Sequence, residues 1–183
     1  MPVHRLRPAS RLRVLLLGAA LAFTPLSVRA QTWTSVLTGL HAVPANDSPA
    51  IGAMTLTLSG SQLLVQLTWN DLLRFPQSVR LFSTPPRTAL DRTGAALSFL
   101  DFTPNQSGTY SLRVNLTERA RYDAAFLRAN GDQVEQARSA LITALDSGYV
   151  GILTQPGPTI EIGARLRRQR SSAETSSVRT LRR

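Results

Sequence analysis

The chain has 183 residues, enough for one domain with short extensions, and a formal charge of +10. That charge does not describe a nucleic-acid-binding face: five arginines precede Ala30 and seven follow Ala164, while residues 31–164 carry nine arginines against ten acidic groups, a balance of about −1. The absence of cysteine excludes thiol catalysis, disulfides and thiolate-held metal.

The chain opens as a secretory signal peptide over residues 1–30. Arg5, Arg7, Arg11 and Arg13 form a basic segment, Val14 to Phe23 an apolar one, and Val28-Arg29-Ala30 places small residues for cleavage after Ala30. The apolar run is shorter than the ~20 residues that span a bilayer. The expected product is a secreted, periplasmic or envelope protein with no transmembrane segment after cleavage.

Residues 31–166 read as an all-β domain with a small helical insertion. A first strand runs from Thr32 to Thr38, followed by a turn-rich loop from His41 to Ile51. Gly52–Leu58 and Gln62–Trp69 alternate apolar and Thr-rich positions around Ser59-Gly60-Ser61, the clearest hairpin in the chain. Shorter strands follow at Ser78–Ser83 and Ala95–Phe102, then an alternating one at Thr109–Leu116. The period next lengthens to about 3.6. Thr117 is placed to cap a helix over Glu118–Ala129, and Asp132-Gln133-Val134-Glu135 resembles a capping box for a second helix ending near Asp146. Gly148–Thr154 and Thr159–Leu166 close the domain as a strand pair around Pro156-Gly157-Pro158, with Ile160, Ile162, Ala164 and Leu166 on one face. The fold class predicted is an antiparallel Greek-key or immunoglobulin-like β-sandwich of about seven to eight strands, with two helices before the last strand pair. Its core is expected to hold Trp33, Met54, Leu56, Leu63, Val65, Leu67, Leu112, Val114, Ile152, Ile160 and Ile162, with Trp69 at a rim. Residues 167–183, rich in Arg and Ser, lack the apolar surface to offset ordering entropy and are expected to form a disordered basic tail.

The order of these pieces resembles the chordin-type, or CHRD, domain. Trp33, Leu37-Thr38-Gly39 and Ala42-Val43-Pro44 look like its opening, and Gly52 to Gly60 like its first hairpin strand. Leu116-Thr117, Gly148-Tyr149-Val150-Gly151-Ile152-Leu153-Thr154 and Ile160-Glu161-Ile162-Gly163-Ala164-Arg165-Leu166 look like its later segments. The family's histidines are missing: Val79-Arg80-Leu81-Phe82-Ser83 replaces a His-hydrophobic-His pair, and Leu153 stands at a third histidine position. The resemblance implies a secreted sandwich that binds rather than catalyses.

The residues themselves point the same way. His4 leaves with the signal, so His41 is the sole imidazole of the mature chain, too few for a transition-metal site. Asn46 and Asp47 lack the spacing of a calcium loop, and Asx-turn chemistry explains them better. No cofactor is expected. Glu161 is expected to form a polar pair with an arginine such as Arg80. The alternative is an extracytoplasmic hydrolase using Glu161 and Asp71 as paired carboxylates. The expected partner is an unidentified extracytoplasmic protein or envelope polymer, with Arg167, Arg168, Arg170, Arg179, Arg182 and Arg183 available to an anionic surface. No specific nucleic-acid binding is expected.

Overall fold

The computed structural model describes residues 30–87, 94–99, 105–154 and 159–170. The alternating segments become strands: β1 (Gln31–Thr38), β2 (Ile51–Ser59), β3 (Gln62–Asn70), β4 (Pro76–Phe82), β5 (Ala95–Phe99) and β6 (Gly108–Asn115). After the helices come β7 (Tyr149–Thr154), β8 (Thr159–Arg165) and the short β9 (Arg167–Arg168). All pairings are antiparallel. The strand order is β5-β4-β7-β8-β1-β2-β3-β6, with β9 also beside β1.

Strand alternation builds the core. Residues two apart share a face, which puts Met54, Leu56, Leu63, Val65 and Leu67 inside from one half of the sheet. Val79, Leu81, Leu97, Val150 and Ile152 enter from the other half, and both sets belong to one apolar cluster. At the two ends of the sheet, the rings of Phe99 and Tyr110 approach to 6.4 Å between centroids. The antiparallel sandwich predicted from the sequence is therefore present, its two layers being halves of one curled sheet. Leu112 is half-buried. Trp69 is not at a rim: it is 2% exposed, and its indole Nε1 donates to the Asn105 carbonyl at 3.0 Å. That bond permits the burial, because a buried indole N–H needs an acceptor.

The helical insertion differs from its sequence pattern. Arg119–Arg121 forms only a 3-10 turn, and the first helix, α1 (Ala124–Ala129), begins five residues after Arg119. Tyr122 stays extended because tertiary contacts hold it: it bridges to Leu97, and its hydroxyl donates to the Leu116 carbonyl at 2.8 Å. Asp123 replaces Thr117 as the cap, accepting from the Ala125 N–H at 2.9 Å. The second helix, α2 (Val134–Ala144), has no side-chain cap at Gln133. Asp132 adopts a left-handed backbone, φ 58, and its carboxylate meets Arg119 at 3.0 Å instead. Phe126, Leu127, Ala137 and Leu141 nonetheless join the main core, so the amphipathic reading of both segments holds.

Two corrections concern the end of the domain. The register of β7 against β8 shifts between Ile152 and Leu153: Ile152 pairs with Ile162, but Leu153 pairs with Ile160. One extra residue on β8 is a β-bulge, which turns the side chains beyond it. Ile162 thus enters the main core, while Ile160 joins Leu153, Phe82, Ala95, Tyr149 and Ala42 in a second cluster. Both isoleucines are fully buried, but not on one face. The first residues of the expected disordered tail are paired instead. Arg167 and Arg168 pair with Thr34 and Trp33, and the Gln169 N–H donates to the Thr32 carbonyl at 2.8 Å. Main-chain pairing is indifferent to the charge of the side chains it carries. Residues 1–29, expected to belong to a signal peptide, residues 156–158, expected to form a turn, and Arg179, Arg182 and Arg183 lie outside the described residues. No helix among the described residues is long and apolar enough to cross a membrane.

Candidate functional site

The bulge on β8 places Glu161 where the sheet is crossed by two loops. The carboxylate is 5% exposed. Its Oε1 accepts from the Ser48 hydroxyl at 2.9 Å and from the Leu73 backbone N–H at 2.6 Å. Oε2 is buried without a hydrogen bond. Ser48 is delivered by an Asx turn, its N–H donating to Asn46 Oδ1 at 3.0 Å. Asn46 in turn donates through Nδ2 to the carbonyls of Ile160 and Glu161 at 3.2 and 3.1 Å. The β1–β2 loop is therefore fastened along β8, and Gly39 lies so close beneath it that a Cβ there would stand 2.6 Å from Asn46 Oδ1.

This arrangement replaces the partner expected for Glu161. Arg80 is buried in β4, opposite Gly151 of β7, which is opposite Gly163 of β8. Two strands of separation amount to about 10 Å, and Glu161 is a further two residues along. Among the described residues no ion pair joins Arg80 to Glu161. Asp71, the second carboxylate of the hydrolase reading, is exposed on a left-handed turn, φ 59, with its N–H donated to Ser107 Oγ. No cluster of three or more His, Asp or Glu side chains capable of holding a metal exists among the described residues. His41 is exposed, with Nδ1 3.1 Å from Thr38 Oγ1.

A second place was not anticipated. β1 pairs with β8 at Thr38–Gly163 and with β9 at Thr34–Arg167 and Trp33–Arg168, all in one register, yet the ladder is interrupted opposite Ser35, Val36 and Leu37. Leu166 instead turns its N–H to the Gly148 carbonyl at 2.9 Å. A cavity of about 700 Å³ lies over this opening. Its lining includes Ser35, Val36, His41, Val43, Ala53, Met54, Pro85, Tyr149, Arg165 and Arg167. Antiparallel partners point to the same side, so Arg167 shares the outer face with Thr34. Arg165, two residues earlier, shares it too. Tyr149 forms one wall, with its hydroxyl donating to the His41 carbonyl at 2.7 Å. Burial pushes that phenol's pKa upward, so it remains a neutral donor. Gly163 leaves room for the ring: a Cβ there would overlap the Tyr149 hydroxyl. Ser35 is 7% exposed, and its Oγ is buried without a hydrogen bond.

Neither Glu161 nor Asp71 lines this cavity. The sequence did carry one signal for it. Ser35 is the single polar residue at an inward position between Trp33 and Leu37, where alternation calls for an apolar side chain. The interrupted ladder had no such signal, because it depends on where residues 164–167 return.

No family model, no curated protein and no solved structure matches this chain.

Proposed function

We propose that this chain is a secreted or envelope-associated binding or structural module of CHRD-like type, and that it works without catalysis. The observation that carries this reading is the division of polar groups between the two places just described. Glu161, the buried carboxylate, is engaged by Ser48 and Leu73 in holding two loops to β8. The Arg165 and Arg167 side chains border an open cavity and make no hydrogen bond or ion pair among the described residues. Polar groups that fasten a fold are engaged within it, whereas groups that receive a ligand are held available. The basic segment from Arg167 onward adds attraction for an anionic envelope surface, which salt would weaken.

The test is retention of envelope components by immobilised residues 31–183 and by a version ending at Arg170. Saturable retention by both supports the module, and salt-sensitive retention by the longer form alone assigns binding to the tail. No retention by either form overturns the reading. So does turnover of an ester or glycoside that disappears in Glu161→Gln or Asp71→Asn.

A further inference from the structure

The cavity between β1 and β8 has a chemistry specific enough to name what fits it. We propose that it binds a small amphipathic monocarboxylate, with the anionic head between Arg165 and Arg167 and the apolar body along Val36 and Ala53. The assignment rests on the binding-module reading and specifies its ligand.

Two independent features converge on this class. The volume, about 700 Å³, falls within the ~300–1,000 Å³ typical of small-molecule sites. Two guanidinium groups stand on the outer face within one strand repeat, and neither has a carboxylate partner among the described residues. Planar guanidinium forks match a carboxylate in geometry as well as charge.

The rest of the site selects against a small inorganic anion. Val36 stands 62% exposed on the cavity floor, and its neighbour across the ladder is Ala53. The same outer strip continues to Ile51, which is 54% exposed. Val43, Met54 and Pro85 complete an apolar lining. Apolar surface left in water beside two uncompensated cations is matched by a ligand that carries both an anionic head and an apolar body.

The experiment titrates residues 31–183 with decanoate, decanol and acetate, following binding by calorimetry and backbone amide shifts. Decanoate should bind saturably at one site, with shifts at Ser35, Val36 and Arg165. Decanol, which keeps the tail without the charge, and acetate, which keeps the charge without the tail, should each bind at least about tenfold more weakly. The double variant Arg165→Ala/Arg167→Ala should lose about tenfold or more in decanoate affinity, while Arg113→Ala on β6 should bind as the parent does. Both arginines are exposed, so circular dichroism is expected to show an intact fold. Equal binding of decanoate and decanol, equal binding of decanoate and acetate, unsaturable partitioning, or undiminished binding by the double variant would each overturn the proposal. Failure here with envelope retention intact in the double variant removes the ligand and the cavity but leaves the module, whereas loss of both results removes the two together.

Discussion

At the scale of single residues, the chain shows how a buried carboxylate becomes a fastener. Glu161 sits at the one position of β8 where a bulge adds a residue, and it finds a hydroxyl and a backbone N–H supplied by two different loops. Hydrogen bonds to a charged acceptor are stronger than neutral ones, and removing the acceptor strands both donors. Glu161→Ala should therefore lower unfolding free energy by on the order of 3 kcal/mol, measured by urea denaturation, and Ser48→Ala by about 1 kcal/mol. An E161A protein as stable as the parent would show that the two loops are held by other contacts.

Two buried phenols give the protein an alkaline limit. Burial pushes Tyr122 up from 10.0 to about 12, with Arg138 opposing the rise and Glu135 adding to it, and burial also raises Tyr149. The folded state therefore holds these protons more tightly than the unfolded chain does. Their contribution is complete below about pH 10 and lost as pH rises through the folded-state values, so stability should fall between about pH 10 and pH 12. Denaturation midpoints across that range should show the decline, and Tyr122→Phe should make it shallower. A slope unchanged in the variant would remove Tyr122 from the account.

At the scale of elements, the alternating strands were readable from sequence because their faces differ in polarity along the whole length of each segment. The hairpin of β2 and β3 keeps an unbroken register from Ile51–Asn70 to Ser59–Gln62, with its turn at Gly60 in the left-handed region, φ 60. The helix starts were less readable. Thr117 and Asp123 are both competent caps, and the choice between them was made by Leu97 and Leu116, which hold Tyr122 extended. Asp123→Ala should consequently cost about 1 kcal/mol in thermal or urea unfolding. Thr117→Ala should cost less, because Thr117 bonds only to Asn115 on an exposed turn.

At the scale of the whole molecule, the sheet joins parts of the chain that are far apart in sequence. β1 receives β8 and β9 from the other end of the domain, and Trp33 Nε1 donates to Asp146 Oδ1 across 113 residues at 2.8 Å. Asp146 also approaches Arg168 at 3.6 Å. Closing such long loops before their contacts form slows folding, so refolding from urea should take milliseconds to seconds rather than microseconds. A core shared by both sheet halves and both helices should also unfold as one unit. Leu141→Ala, on α2, should cost about 2–5 kcal/mol and lower the midpoint seen by strand and helix probes together. A separate early transition for the helices would contradict a single core.

The sequence by itself determined which of the longer segments become strands, which of their residues turn inward, and that residues 31–164 are nearly neutral, because polarity alternation and composition are local properties. Only the tertiary structure decided the partner of Glu161, the split of Ile160 from Ile162, and the opening beside Ser35. Each of these depends on where a distant strand returns and with how many residues, and a one-residue difference in register leaves no mark on the alternation that announces the strand.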